Sequence, residues 1–400
     1  MSELAKIGEQ KIAWVKAHMP LLSSIEQDFL KTKPFAGLKI SLSVHLEAKT
    51  AYLARVLESA GALLSVTGSN PYSTKDDVVA ALRAKGMRVF AKHGVSREQY
   101  ENFVRQTLEN GPDILIDDGG DLLQALDEKA QSALIACCEQ TTSGVLRAKA
   151  SYAAGKLKAP VVCVNDAKCK HLFDNRYGTG QATFEGIMAA TNLLIAGKSV
   201  VIIGYGHCGL GVAQRAQGLG ASVIICETDP FKALSAYMQG FAVMPLLQAA
   251  SLGDIFISAT GGCDALSLKH FKAMKNGAIV CNTGHFQDEI NLSGLVEKEE
   301  ARAGVRRYEL GSKYFYLLGS GALVNVACAN GHPAEIMDMS FACQALSAHW
   351  ALENRPKPGI YELPEEIDSK LARLKLHTLG IKIDSLNEQQ KNYLKSFTKS

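Results

Sequence analysis

The sequence predicts an α/β protein with two doubly wound parallel-sheet domains: one domain interrupted by a second, Rossmann-type domain. Three observations predict it. From Leu38 onward, short apolar runs alternate with amphipathic segments, the pattern of strands joined by crossover helices. Polar residues recur just after the strand ends, at His45, Asn70, Asp117, Asp118, Asn165 and Asp166, where open α/β sheets bind ligands. A glycine-rich loop, VIIGYGHCGLG, opens half-way along the chain.

The elements follow in order. LKISLSV reads as a strand and EAKTAYLARVLESAG as an amphipathic helix. LLSVTG is a strand, DDVVAALRAKG a helix, RVFAK a strand and SREQYENFVRQTLEN a helix. ILIDD is a strand, LLQALDEKAQSALIA a single helix and PVVCVND a strand. The long helix TFEGIMAATNLLIAG leads into a second block with strands SVVIIG, SVIICE, IFISAT and AIVCNTG, ending near Asn330. HPAEIMDMSFACQALSAHWALEN is a long helix expected to return to the first domain. From PKPGIYELPEEID onward the chain reads as charged and helical, with no core of its own. The expected division is 1–175 for the first domain, 176–330 for the inserted one, 331–375 for the return and 376–400 for a C-terminal segment, with hinges at the connectors.

Composition narrows the function. Hydrophobic residues make up 47% and charged residues 21% of the 400-residue chain, an ordinary globular balance. The net charge of +3 and the lack of basic runs give no footprint for nucleic acid. The start, MSELAKIGEQKIAWVKAHMP, lacks the apolar core and cleavage site of a secretory signal, and no apolar run has membrane-spanning length. The ten cysteines show no CxxC pair, and several lie in apolar runs, as reduced thiols do in a cytoplasmic protein. The ten histidines show no i, i+4 pairing, so no metal site is expected.

Gly204, Gly206 and Gly209 carry the GxGxxG spacing. They serve a tight turn, close approach to a pyrophosphate, and close helix–strand packing. The helix that follows offers its N-terminal amides to the phosphates. Glu227 ends the next strand, twenty-three residues after Gly204. A carboxylate there accepts bonds from ribose hydroxyls and repels a 2′-phosphate, which favours NAD over NADP.

Eight segments occur in the order of the S-adenosylhomocysteine hydrolase family: SVHLEAKTAYL, GSNPYSTKDD, IDDGGDL, EQTTSGV, VNDAKCKHLFDNRYGTGQ, GYGHCGLG, CNTGHFQDEI and LVNVACANGHPAEIMDMSF. The chain resembles that family over nearly its whole length, in the shorter prokaryotic form. The resemblance implies a substrate domain that closes over NAD, a small nucleoside substrate, and a homo-oligomer, dimer or tetramer. The implied chemistry is oxidation of the ribose 3′-hydroxyl, C4′ deprotonation, loss of the thiol from C5′, water addition and re-reduction. Residue by residue, Lys170 and Asp174 match the pair that handles the 3′-hydroxyl proton, with Asn175 orienting them. His45 and Asp118 match the groups at the C4′–C5′ end. His285 and His332 match two cleft histidines, the first grouped with the catalytic set and the second with the substrate contacts. Thr141, Thr142 and Ser143 match the hydroxyl run on NAD, Asn325 the nicotinamide contact, and Asn282 lies on the neighbouring loop. Glu47, Lys49 and Gln140 fall among the substrate contacts.

Several residues depart from the family pattern. Gln140 stands for a glutamate that holds the ribose hydroxyls, Lys75 for a glutamine, and Gly262 for an asparagine near the cofactor. Ser320 and Ala322 replace a glutamate and an arginine together. Glu47 and Lys49 differ from the threonine and glutamate of many members. Three readings therefore compete: hydrolysis of S-adenosyl-L-homocysteine; the same cycle on S-inosylhomocysteine or another nucleoside; and an NAD-binding regulator without catalysis. Outside the resemblance, Lys170 and Asp174 at i, i+4 spacing read as a surface ion pair, and Asp117, Asp118 and Asp121 as turn and cap residues.

Overall fold

The computed structural model describes residues 1–284 and 287–395. The chain first lays down β1 (Lys39–Ser43), β2 (Leu63–Thr67), β3 (Arg88–Val89), β4 (Ile114–Asp117), β5 (Ala136–Glu139) and β6 (Pro160–Cys163). The second block holds β7 (Ser199–Ile203), β8 (Ser222–Cys226), β9 (Ala242–Val243), β10 (Ile255–Ser258) and β11 (Ala278–Asn282), then β12 (Val296–Arg302), β13 (Val305–Leu310) and β14 (Lys313–Leu318). A last strand, β15 (Gly359–Glu362), pairs in parallel with β6. The sheet orders are β15-β6-β5-β4-β1-β2-β3 and β12-β13-β14-β11-β10-β7-β8-β9.

The α/β architecture with two parallel-dominated sheets is as expected; four details differ. LLQALDEKAQSALIA is not one helix. It breaks into Asp121–Ala125 and Glu128–Ala133, because Asp127 turns out of the helix and caps the second piece through Ala130 N–H. β5 was not legible, since all four of its residues are buried between β4 and β6 and no alternation remains. RVFAK shortens to the two residues of β3. The inserted sheet carries an antiparallel edge, β12–β14, beyond its four expected strands.

The C-terminal part is also better anchored than its charge implied. Beyond β15, helix Glu365–Thr378 buries Leu371 fully. Its Lys375 Nζ donates to Asp338 Oδ2 at 2.8 Å. The same Asp338 accepts the amides of Leu21 and Leu22 at 3.2 and 2.8 Å. Helix Ala334–Asn354 buries Phe341, Ala342, Ala345 and Ala348 in the core of the first sheet. Small side chains there let the helix lie close to its neighbours.

Two close approaches fix the second sheet against the site. A Cβ on Gly211 would collide with the Arg176 carbonyl, and one on Gly180 with the Gly211 carbonyl. Helices Thr179–Thr191 and His207–Gly218 therefore cross with backbones nearly touching. Arg176 adds two bonds to Gln214 Oε1, at 3.2 and 3.0 Å.

Candidate functional site

The short helix Lys168–His171 presents Lys170. It starts where it does because Asp368 caps it, accepting the amides of Lys168 at 2.6 Å and Cys169 at 2.9 Å. The chain then makes a π-helical turn, Asp174–Gly178, a distortion common at functional sites. This turn puts Lys170, Asp174 and Asn175 together, all buried. Lys170 Nζ donates to Asn175 Oδ1 at 2.6 Å and pairs with Asp174 Oδ2 at 3.3 Å. Asp174 Oδ2 also accepts Ser340 Oγ–H at 2.7 Å, and Oδ1 meets His332 Nδ1. His332 Nε2 lies 2.8 Å from Asn325 Nδ2 and 3.4 Å from Thr179 Oγ1. Asn175 Nδ2 donates to Asn165 Oδ1 at 3.2 Å. Burial alone would raise the Asp174 pKa. The Lys170 ammonium and His332 outweigh it and hold the carboxyl well below the usual range. The pair is no surface bridge.

A second group gathers at the ends of β1, β2 and β4. His45 Nδ1 lies 2.7 Å from Ser73 Oγ, which itself donates to the Asn70 carbonyl at 2.9 Å. The Ser73 oxygen then accepts from Nδ1–H, leaving His45 Nε2 as the basic nitrogen. That nitrogen stands 3.9 Å from Asp118 Oδ2. Asp118 is buried and takes bonds from Ser69 Oγ at 3.2 Å and the His45 amide at 3.4 Å. Asp117, the other half of the DD pair, caps helix Asp121–Ala125 through Leu123 N–H at 3.1 Å. The two adjacent aspartates thus divide: one caps, the other faces the histidine.

The third group lies after β5. Thr141 caps helix Thr142–Ala153 through Gly144 N–H at 3.0 Å. It donates its own hydroxyl to Glu139 Oε1 at 2.7 Å. Ser143 is buried and bonds Thr141 at 3.2 Å, whereas Thr142 is exposed. Gln140 is buried, and its Oε1 accepts from Gln344 Nε2 at 3.2 Å. Gln344 Nε2 also reaches the Cys138 carbonyl at 3.4 Å, which fixes the orientation of its amide. The Gln140 carbonyl is thus taken up by Gln344, and its NH₂ group has no part in that bond. Glu47 and Lys49 pair at 2.7 Å, and Lys49 Nζ also donates to the Asn330 carbonyl at 2.9 Å, a link between the two halves. Lys75 reaches the Val326 carbonyl at 3.5 Å, and burial lowers its pKa. Ala322 is buried, and Ser320 accepts from Arg306 Nε at 3.0 Å.

The glycine loop fits a dinucleotide. Gly204 turns at φ +96°, and a Cβ on Gly209 would strike the Gly204 carbonyl. A Cβ on Gly206 would meet nothing, so open space lies where a pyrophosphate approaches. Glu227, at the end of β8, is held by the amides of Tyr205 at 2.7 Å, Thr228 at 2.6 Å and Asp229 at 3.0 Å. Burial opposes its ionisation, yet these bonds lower its pKa, so it is held as a carboxylate. Asn325 is buried, and its Oδ1 has no protein partner, an acceptor ready for a carboxamide N–H. These features fit NAD. Asn282 bonds Gly284 on its own loop and the Gly321 carbonyl on the segment Gly319–Gly321. His285 lies outside the described residues.

Sequence reasoning missed Ser340, Glu139, Gln344 and Glu289. Glu289 is fully buried and gathers Thr260 N–H and Gly261 N–H at 2.9 Å each, with Thr260 Oγ1 at 2.7 Å. Glu139, Ser340 and Glu289 stand inside the segments EQTTSGV, LVNVACANGHPAEIMDMSF and CNTGHFQDEI, but nothing in the spacing gave them a role. Among the described residues no cluster suited to a metal ion occurs, and no helix is long and apolar enough to cross a membrane.

Comparison with known proteins agrees with this geometry. The family model described as "S-adenosyl-L-homocysteine hydrolase, NAD binding domain" matches residues 175–331, and that described as "S-adenosyl-L-homocysteine hydrolase" matches residues 2–137. The S-inosyl-L-homocysteine hydrolase of Methanocaldococcus jannaschii is 52% identical, covering 98% of this chain and 97% of the relative. The adenosylhomocysteinase of Thermococcus kodakarensis is 50% identical over 98% and 96%. That of Thermotoga maritima is 49% identical over 98% and 99%.

Proposed function

Because the chain belongs to the S-adenosyl-L-homocysteine hydrolase family, an NAD-dependent group of enzymes, we propose that it reversibly hydrolyses S-adenosyl-L-homocysteine to adenosine and homocysteine. Bound NAD supplies reversible two-electron oxidation at the ribose 3′ carbon. The observation that carries the reading is the buried Lys170–Asp174–Asn175 cluster beside Asn325, the group suited to the cofactor's carboxamide.

Each side chain has a task in this reading. Lys170, fixed by Asn175 and Asp174, exchanges a proton with the 3′-oxygen. Asp174 is itself fixed by Ser340 and His332, so its charge keeps the ammonium in place. His45 Nε2 and Asp118 serve the C4′ proton and the departing thiolate. Asn325 Oδ1 orients the carboxamide, and Glu227 holds the adenosine ribose of the cofactor. His285 and Thr142 enter the reading by resemblance only. The ten unpaired cysteines favour a reducing compartment, the cytoplasm. The division at 175, 330 and 375 and a homo-oligomer belong to the same reading. The return of β15 to the first sheet supports that division.

A second reading rests on a separate observation. The Methanocaldococcus relative, at 52% identity, is named for the inosyl substrate. The Glu47–Lys49 pair offers both an acceptor and a donor, which can serve an amino or a keto purine edge. The experiment is a dual assay of NAD-loaded protein with each thioether in turn, following free thiol and NADH absorbance. Thiol with a transient NADH signal from the adenosyl substrate supports the first reading. Thiol only from the inosyl substrate selects the second. NAD bound without either signal identifies a regulator.

A further inference from the structure

Glu139 makes contacts that the chemistry above does not use. It is 1% exposed and ends β5, directly opposite Asp117 on β4. One oxygen, Oε1, accepts three bonds: Gly119 N–H at 3.0 Å, Thr141 N–H at 2.8 Å and Thr141 Oγ1–H at 2.7 Å. Gly119 directly follows Asp118, and Thr141 opens the hydroxyl run and its helix. The other oxygen, Oε2, is buried with no protein partner. Glu139 lines a cavity of about 40 Å³, which Arg147 and Gln131 also line, enough for a water. Gly144 completes the arrangement, because a Cβ there would overlap the Glu139 carboxyl. The glycine sits in a helix, where it costs stability relative to alanine, and the carboxyl explains it.

We propose that Glu139 is a positioning residue whose Oε1 clasps the Asp118 loop to the Thr141–Ser143 run, setting the proton-transfer end of the site in register with the cofactor end. The proposal rests on the roles given above to Asp118 and Thr141. Three donors converging on one buried oxygen leave the two loops little freedom to move separately. A carboxylate three bonds from its backbone has this reach; one methylene less does not. The donors need an acceptor, not a charge, so an amide oxygen at the same place suffices. Burial raises the Glu139 pKa to about 7. The charged and titratable groups around it are Asp117, Asp118, Cys137, Cys138, Cys163 and Arg147.

The test compares NAD-loaded wild type with Glu139→Gln, Glu139→Asp and Gly144→Ala. The readouts are kcat and KM for thiol release, the rate of NAD release, and Tm. Glu139→Gln is expected to keep at least about a third of kcat and to hold NAD. Glu139→Asp, with charge but no reach, is expected to lose about tenfold or more in kcat, with KM little changed and NAD released faster. Gly144→Ala favours the helix by propensity but displaces the carboxyl, so it is expected to match Glu139→Asp while folded. It carries the test if Glu139→Asp fails to fold. Wild-type kcat and NAD retention in folded Gly144→Ala overturn the proposal, as does a Glu139→Gln variant as impaired as Glu139→Asp. If the wild type turns over no thioether, the functional reading fails. The clasp is then judged on NAD release alone, and unchanged release in Gly144→Ala overturns it.

Discussion

The carboxyl edges of the two sheets solve different problems with different materials. At the edge of the first sheet the groups proposed to carry the chemistry are side chains. Lys170, Asp174, His332, His45 and Asp118 are held by one another and by Ser340, Asn175, Ser69 and Ser73. At the edge of the second the groups proposed to hold the cofactor are mainly backbone. Gly204, Gly206 and Gly209 shape a loop, and the carboxylates of Glu227 and Glu289 are used to gather amides. Moving protons needs titratable groups whose charge is set by burial and neighbours. Holding a dinucleotide needs a close approach of main chain to phosphate.

The largest test removes the centre of the first edge. Lys170→Met is expected to lower kcat by about 10²–10⁴-fold, while NAD content measured after denaturation stays at the wild-type level. Loss of NAD along with activity would erase the division between the edges.

A pair of glycine changes probes the second edge. Gly209→Ala forces a Cβ into the Gly204 carbonyl, so both Tm and NAD affinity are expected to fall, the latter by about tenfold or more, a loss of roughly 1.4 kcal/mol. Gly206→Ala meets no protein atom. Its Tm without cofactor is expected to match the wild type while NAD affinity falls. Equal Tm losses in the two would show that this loop serves packing and not ligand approach.

Smaller effects sharpen the first edge. Ser340→Ala removes one of the bonds to buried Asp174 and is expected to cost about 1–3 kcal/mol in chemical denaturation. A cost near zero would mean that Lys170 and His332 suffice. The smallest effect is on pH dependence. The folded Asp174 pKa lies below its ordinary value of 3.8. The stability this group contributes is therefore fully present above that value and is lost as pH falls through the folded one. The stability difference between wild type and Asp174→Asn should be flat above about pH 5 and shrink toward pH 2. A difference that does not change with pH would show that the charge of Asp174 adds nothing to folding.

The two edges also differed in how far the sequence disclosed them. Strand, glycine loop, helix and Glu227 lie within one short stretch, so spacing alone located the cofactor edge. Spacing also gave Lys170 and Asp174, but as a surface pair. Only their burial beneath Ser340 and His332, more than 150 residues later in the chain, makes them the buried cluster on which the proposed proton transfer rests. β5 was hidden because a fully buried strand shows no alternation. Glu139 stood in the segment EQTTSGV without a role, and Gln140 was legible only as a departure from a family pattern.

The sequence by itself determined the class of fold, the place and type of the cofactor loop, and the residue types available for chemistry. These follow from local periodicity and from the steric needs of single glycines. Tertiary structure alone decided which of two adjacent aspartates caps a helix and which faces His45. It also decided which way the Gln140 amide points and how one buried carboxyl joins two loops. Those outcomes depend on donors and acceptors brought together from distant parts of the chain, and hydrogen-bond geometry and desolvation act only once the fold has closed around them.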